Sequence, residues 1–599
     1  MAVTTTTCGA EAQQQMVVGD AAPQRKPRPY HPSPWGDFFL THQPCTPAQL
    51  ASMKESAAAK KEEVRRVIAA AAASGDLAAK LRLVDVLQRI GVDYHFGPEI
   101  DAILRAVHDD GEDDAGRDDD LYLTSLRFYL LRKHGLAVSS GAYVLRVKGV
   151  PSDRSHNYSS ANFSCNAHIQ TYRTWMTNHN ADVFAKFRDE EGNFAAGDDV
   201  STLLMLFDAA HLRVHGEQIL DGAITFTRSR LQSMMRSLEP EVAEDVRYTL
   251  ETPSFRRVER VEASHFLSQY KKRADRDETI LEFAKLDYNI LQTIYCDELK
   301  SLTIWWKNFQ SVTALGFARD RMLEMHFWML GVCYEPYYSY SRIMLTKLIT
   351  LASLFDDFYD NYSTTEESNV FTAALKRWDP QAAEMLPAYL REFYLNTLST
   401  TNEIEEDLKL ENNKHAEWVK KLVVNLAKGY HAEVKWRDEH YVPNTVEEHL
   451  QLSVPSSGCM HITNFAFISM DDIATTEAIE WAETYPKIIR GVCIVGRVMN
   501  DVVSYEREQS SDHVVSTVQA CMKEYGFTVE QANKKLGQIV EEAWMDIVQE
   551  CLDQKHSMAL LEKAVNLART MDFIYKREDA YTLSFSLKDI MTSLYVKFA

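Results

Sequence analysis

The sequence predicts an all-α protein built from two helical domains. Three observations carry this reading. Apolar residues recur at three- and four-residue steps almost throughout the chain. No set of alternating-period strands and no internal repeat interrupts them. With 599 residues and 45% hydrophobic content, the chain can bury two ordinary cores.

Residues 1–27 read as a disordered N-terminal tail, with Glu11 and Asp20 and no arginine before Arg25. That composition suits neither a secretory leader nor a transit peptide, so a cytoplasmic protein is expected. Pro23, Pro27, Pro29, Pro32 and Pro34 make an extended arm that leads to Trp35. The stretch 60–91 is amphipathic and breaks at Gly75. The acidic run 108–120 reads as a solvated loop, and 121–135 as a helix stopped by His134 and Gly135. The charged segment 250–292, with Pro253, is the best domain boundary. This places one helical domain over 28–265 and a second, a helical bundle, over 266–599.

Composition narrows the partners. A formal net charge of −21 and a pI near 5.4 argue against nucleic acid, which needs a basic face. A small anion remains compatible, because a few arginines or cations reverse the sign locally. The nine cysteines are scattered without a CxxC pair, which suits a reduced compartment and buried thiols. No window reads as a membrane span.

The second half holds the chemistry. In "SRIMLTKLITLASLFDDFYD", Met344, Leu348, Leu351 and Phe355 set an apolar stripe on one predicted helix. Asp356 and Asp360 stand one turn apart and continue that stripe to the rim of the core. Carboxylates crowded there suit a divalent cation completed by substrate phosphate, though a solvated helix end explains this stretch alone equally well. In "GRVMNDVVSYEREQ", Asn500, Ser504 and Glu508 fall on successive turns of one face, spanning about 12 Å. These hard oxygen donors make a second cation site. Arg497 shares that face, a conflict that a multiply charged anion between the two would remove. In "ALGFARDRMLEMHFWML", Arg319 and Arg321 flank Asp320, and arginine forks grip phosphate. Phe327, Trp328, Tyr334, Tyr337, Tyr338 and Tyr340 follow, mostly as core, with a cavity wall as the functional reading.

The order R-x-R, D-D-x-x-D, N-D-x-x-S-x-x-x-E resembles the class I plant terpene synthases. So do "RPYHPSPWGDFF", "TIWWKN", "QSSDHVVSTVQACMKEYG" and "REDAYTLSFSLKDIMTSLY". The resemblance covers nearly the whole chain. It implies an N-terminal relict α-barrel domain and a C-terminal class I terpenoid synthase α-helical bundle. It implies three Mg²⁺ ions, with Mn²⁺ as the substitute: Asp356 and Asp360 hold two, with Asp357 in the motif, and Asn500, Ser504 and Glu508 hold the third. Arg319 and Arg497 would grip a diphosphate and Arg321 would support a closing loop. Trp328 would face the hydrocarbon, and residues after Glu508 together with the N-terminal arm would form the lid. Asp579 and Tyr581 match a C-terminal catalytic pair, but the tyrosine that some relatives place beside it is displaced to Tyr575. Pro455 and Gly458 mark a helix break. The single arginine of Arg28-Pro29 and the short tail point to farnesyl diphosphate, hence a sesquiterpene synthase; a monomer is the expected state. Geranyl or geranylgeranyl diphosphate is the alternative, and a helical scaffold without catalysis a more distant one.

Overall fold

The computed structural model describes residues 30–114, 120–138, 182–313, 315–470, 473–509 and 515–599. The tail 1–27, Arg28 and Pro29 lie outside them, as do 510–514 of the expected lid and Cys8 and Cys165. Among the described residues the chain forms helices throughout, with a single isolated antiparallel bridge between Arg188 and Phe194. None of these helices is long and apolar enough to cross a membrane. The other seven cysteines are buried and free.

The helix stops follow local chemistry. The helix Pro47–Ala73 starts on a Thr46–Gln49 capping box, and the next, Leu77–Arg89, on the Asp76 side chain. Leu121–Lys133 ends at His134, and Gly135 follows at φ +72°, a conformation that favours glycine. The acidic run is not a loop at its start. The helix Gly97–Asp114 carries into it, anchored by buried Ile100, Ile103, Leu104 and Val107. Extending an anchored helix adds one hydrogen bond per residue, so a polar end can follow a buried stripe. Residues 115–119 lie outside the described ones.

The expected boundary at 265/266 falls inside the helix Glu259–Tyr270, and the nearest helical break is 271–277. After that break comes the 36-residue helix Glu278–Thr313, which packs along Pro47–Ala73 of the first half. The second half is a bundle. Lys487–Glu508 packs against Val529–Asp553, Met558–Ile574 and Cys459–Ile468. Ser339–Asp357 packs against Met322–Val332, Trp418–Asp438 and Cys459–Ile468. The inward faces of these helices enclose the site.

One expected helix is two pieces. The α-helix from Ser339 ends at Asp357, and Phe358–Tyr362 forms a π-turn closed by Ser363 N–H donating to Phe358 O at 2.8 Å. Asp360 lies in the wider turn, so its direction relative to Asp356 differs from that of a regular i, i+4 pair. Both Phe358 and Tyr359 are buried, so the turn packs two aromatic rings into the core. The following helix, Thr365–Arg377, begins on a Thr364–Glu367 capping box, with 3.2 Å and 2.9 Å hydrogen bonds. We expect Thr364→Ala to cost about 1 kcal/mol in denaturant unfolding, without loss of overall helicity. An unchanged midpoint would show the cap to be redundant.

Candidate active site

Among the described residues, 25 line the cavity of the bundle, whose empty volume, open mouth included, is about 1130 Å³. Its two polar walls stand on different helices. One wall is Asp356 and Asp360, at the end of Ser339–Asp357 and in the π-turn. The other is Arg497, Asn500 and Glu508 along Lys487–Glu508. Between them the lining is apolar, with Trp328, Ile349, Ala352, Ile462 and Met571. Such a mix of convergent polar groups and an apolar floor suits an amphiphilic ligand.

The three aspartates do different things. Asp356 keeps about a third of its side chain exposed and accepts from Arg319 Nη2 at 2.7 Å. Asp357 turns away from the cavity. It accepts from the Arg319 backbone N–H at 3.0 Å and pairs with Nε at 2.9 Å. Burial pushes its carboxyl up to about 6, with Arg319 pulling the other way. Asp360 is 5% exposed and its Oδ1 has no hydrogen-bond partner. Burial first, then Asp356 and Glu433, holds its carboxyl well above the ordinary carboxylate range, against the pull of Arg497. A buried acid with an unpartnered oxygen among like charges suits a hard cation as its partner.

Asn500 Nδ2 donates to Ser504 Oγ at 3.2 Å, so the predicted i, i+4 spacing is realised as a contact. Ser504 is fully buried behind Asn500. Arg497 donates to Ser456 Oγ at 3.3 Å and lies 3.7 Å from Glu433 and 3.9 Å from Asp501. Burial would lower its pKa, but Glu433, Asp501 and Asp360 hold it protonated. Among the described residues no three acid, histidine or cysteine side chains close into a ready-made metal cage. That fits Mg²⁺, which uses one or two carboxylates per ion and takes its other oxygens from substrate and water.

Arg319 and Arg321 separate in role. Arg319 lines the cavity, with its guanidinium 4.6 Å from the Tyr581 ring centre and 5.6 Å from that of Tyr30. Arg321 is 1% exposed and donates to four carbonyls: Tyr581 and Thr582 at 2.9 Å, His31 at 3.0 Å, and Asp320 at 2.7 Å. It ties the C-terminal turn to the N-terminal arm. Asp320 accepts from Trp306 Nε1 at 2.9 Å, which fixes the loop between the arginines.

Of the aromatic run, Trp328 alone reaches the cavity lining. Phe327 packs on Phe573, and Tyr334 points its hydroxyl at Asp93, while Tyr337 and Tyr340 are exposed. Tyr575 and Tyr581 instead complete the wall, with ring centres 6.2 Å and 5.1 Å from Trp328. Asp579 and Tyr581 both line the cavity, yet no hydrogen bond joins them among the described residues. Tyr581 Oη pairs with Ser353 Oγ at 2.5 Å, and Asp579 accepts from Arg507 at 2.5 Å. The helix break stands where the sequence places it. Val446–Ser456 contains Pro455, Gly458 adopts φ +75°, and Cys459 starts the next helix at the cavity wall.

Sequence reasoning missed Glu433, Tyr430, Asp501 and Arg507. Glu433 is 1% exposed, bonded to Ser456 Oγ at 2.5 Å, with Oε2 unpartnered. Tyr430, one turn before it, lines the cavity. Asp501 accepts from Thr517 N–H at 2.6 Å and fastens the next helix. Its signal was present, since it follows Asn500 in the second motif.

Comparison with known proteins agrees with this geometry. Residues 307–546 match the model "Terpene synthase family, metal binding domain". Residues 34–144 and 173–250 match "Terpene synthase, N-terminal domain". The chain is 51% identical to an (E)-beta-caryophyllene synthase of Zea mays over 570 residues, 95% of each chain. It is 40% identical to a beta-sesquiphellandrene synthase of Sorghum bicolor, covering 97% of this chain and 98% of that one. Among solved structures it is similar to a limonene synthase with 2-fluorolinalyl diphosphate, at TM-score 0.82 and 27% identity, over 95% of this chain and 99% of that one. It is also similar to isoprene synthase of Populus x canescens in complex with three Mg²⁺ ions and dimethylallyl-S-thiolodiphosphate. There the TM-score is 0.78 and the identity 29%, over 92% and 98% of the two chains.

Proposed function

Because the chain belongs to the terpene synthase family, we propose that it is a sesquiterpene synthase: it ionises farnesyl diphosphate and directs the resulting cation to a C15 product. The observation that carries this reading is the pair of oxygen-bearing walls facing one cavity with an apolar floor. The C15 chain length is supported by the caryophyllene and sesquiphellandrene synthases to which the chain is 51% and 40% identical.

The donor set assigns the residues. Asp356 and Asp360 would hold cations on one wall, and Asn500, Ser504 and Glu508 would hold one on the other. Three Mg²⁺ ions is the number in the isoprene synthase complex. When bound, the cations supply Lewis-acid stabilisation of the diphosphate leaving group. Arg319 Nη2 occupies Asp356 in this structure. An arriving diphosphate offers Arg319 a better partner, because phosphate oxygens accept its fork bidentately. Asp356 would then be free to hold a cation. Arg497 meets the same anion from the opposite wall, and its charge is already secured by Glu433 and Asp501. Asp357 acts through Arg319, which it holds by main chain and side chain. Arg321 likewise positions the arm and the C-terminal turn rather than touching substrate.

Trp328, Tyr575 and Tyr581 present π surfaces to the hydrocarbon end. Aromatic faces stabilise a desolvated cation without offering it a nucleophile as strong as water. Tyr30 of the arm and Val515 and Ser516 beyond Glu508 line the same cavity, so both chain segments can help exclude solvent.

Purified protein with Mg²⁺ and geranyl, farnesyl or geranylgeranyl diphosphate tests the assignment. We expect kcat/KM for farnesyl diphosphate to exceed that for the other two by at least about tenfold, as one pocket tuned to one length allows. Chelation with EDTA should abolish turnover and Mg²⁺ should restore it. Preference for the C10 or C20 substrate would replace the chain-length reading. Turnover that survives chelation would remove the metal assignment.

A further inference from the structure

A chain of polar contacts borders the cavity mouth, and the roles above use only its two ends, Glu508 and the Arg319–Asp356 contact. Glu508 Oε1 lies 3.5 Å from Arg507 Nη2, and that nitrogen donates to Asp579 Oδ2 at 2.5 Å. Asp579 Oδ1 accepts from the Thr582 backbone N–H at 3.0 Å. Thr582 Oγ1 accepts from Arg319 Nη1 at 3.1 Å, and Arg319 Nη2 donates to Asp356 at 2.7 Å. The chain begins on one candidate cation wall and ends on the other. The 579–582 turn is its middle link, braced from behind by Arg321 on the carbonyls of residues 581 and 582.

The charges make this link responsive. A cation on Glu508 repels Arg507, and Asp579, a side chain only 3% exposed, already accepts from it. At the far end, an anion that draws Arg319 from Asp356 also pulls on Thr582. Both events bias the position of one turn, which is the physical requirement for coupling between sites.

We propose that Arg507 and Asp579 are positioning residues that couple cation occupancy on the two walls through the 579–582 turn. The proposal rests on the metal assignment above. It gives Asp579 a task that needs no hydrogen bond to Tyr581: its carboxylate joins Arg507 to the Thr582 backbone. It also explains how Arg507, on the last turn of the Lys487–Glu508 helix, can influence a wall on the opposite side of the cavity.

Titration calorimetry of Mg²⁺ into the protein with inorganic diphosphate tests this without turnover. Wild type should bind with a Hill coefficient above 1. Arg507→Gln and Asp579→Asn should each lower the coefficient toward 1 and weaken apparent Mg²⁺ affinity about tenfold. The double variant should be no worse than either single one, because both break one link. Arg507→Lys should recover most of the loss, which a purely steric role would not predict. Thermal melts by circular dichroism identify folded variants. If Asp579→Asn does not fold, Arg507→Gln carries the test, since Arg507 is the more exposed partner. Folded variants with wild-type steepness and affinity would overturn the coupling. So would a wild type that binds Mg²⁺ without cooperativity. A wild type that binds no Mg²⁺ with diphosphate would overturn the metal assignment, and the coupling with it.

Discussion

Asp360→Ala and Asp360→Asn should lower kcat by at least about 10²–10³-fold, because each removes a carboxylate aimed at the leaving-group charge. The same substitutions should stabilise the metal-free protein. Asp360 is buried with Oδ1 unpartnered, beside Asp356 and Glu433, which raise its pKa above 3.8. A carboxyl raised in the folded state binds more protons folded than unfolded once pH passes about 3.8. Stability contributed by that group therefore falls as pH rises through the window above its unfolded value. Asp360→Asn removes that slope and should raise Tm at neutral pH by about 1–2 °C. Mg²⁺ with inorganic diphosphate should then stabilise wild type more than the variant, since ligand that binds only the folded state stabilises by mass action. Wild-type turnover in either variant, or a fall in metal-free Tm, would show that Asp360 is a structural acid and not a cation ligand. Asp356→Ala should match the loss of kcat but not the gain in Tm, because Asp356 is a third exposed and paired with Arg319.

What the sequence made legible follows from which forces act locally. Helix existence was readable, because period and stops are local, as at Gly75 and at Gly135. Asn500, Ser504 and Glu508 were readable as a face because their helix is regular from Lys487 to Glu508. Asp356 and Asp360 were readable as residue types, but the directions of the aspartates were not. The π-turn at Phe358–Tyr362 is set by burial of Phe358 and Tyr359 against neighbouring helices, which no window of sequence contains. Glu433 and Tyr430 were invisible for a related reason. They sit on Trp418–Asp438, an ordinary amphipathic helix, and become part of the site only because it packs against Ser339–Asp357. Arg507 reads as one charge in "YEREQ", and its partner Asp579 is brought to it by tertiary packing alone. Of the six rings in the aromatic run, which the sequence reads mostly as core, packing turns Trp328 into the cavity lining among the described residues.

Trp328→Leu should change what the enzyme makes more than how tightly it binds. The indole is 6% exposed, lies on the cavity wall, and has Tyr581 and Tyr575 at 5.1 Å and 6.2 Å. Its Nε1 has no partner, so leucine breaks no hydrogen bond to that atom. In the proposed assignment, the diphosphate end of the substrate meets Arg319, Arg497 and the cations, and the π face meets the hydrocarbon end. A face-on indole stabilises a desolvated cation by about 2 kcal/mol. The neutral substrate gains little of this, so the loss appears in kcat and leaves KM nearly unchanged. About 2 kcal/mol corresponds to a fall of about 30-fold in kcat. Cations formed late in the sequence lose the most support, so acyclic and early-quenched products should rise at the expense of the parental ones. Trp328→Phe keeps a π face of smaller area and should fall between wild type and leucine in both rate and product ratio. A purely structural Trp328 makes a different forecast: a lower Tm from the lost volume, with the product ratio intact in whatever protein remains folded. Gas chromatography–mass spectrometry of products from folded Trp328→Leu therefore separates the two, and parental ratios in that variant would remove the indole from the chemistry.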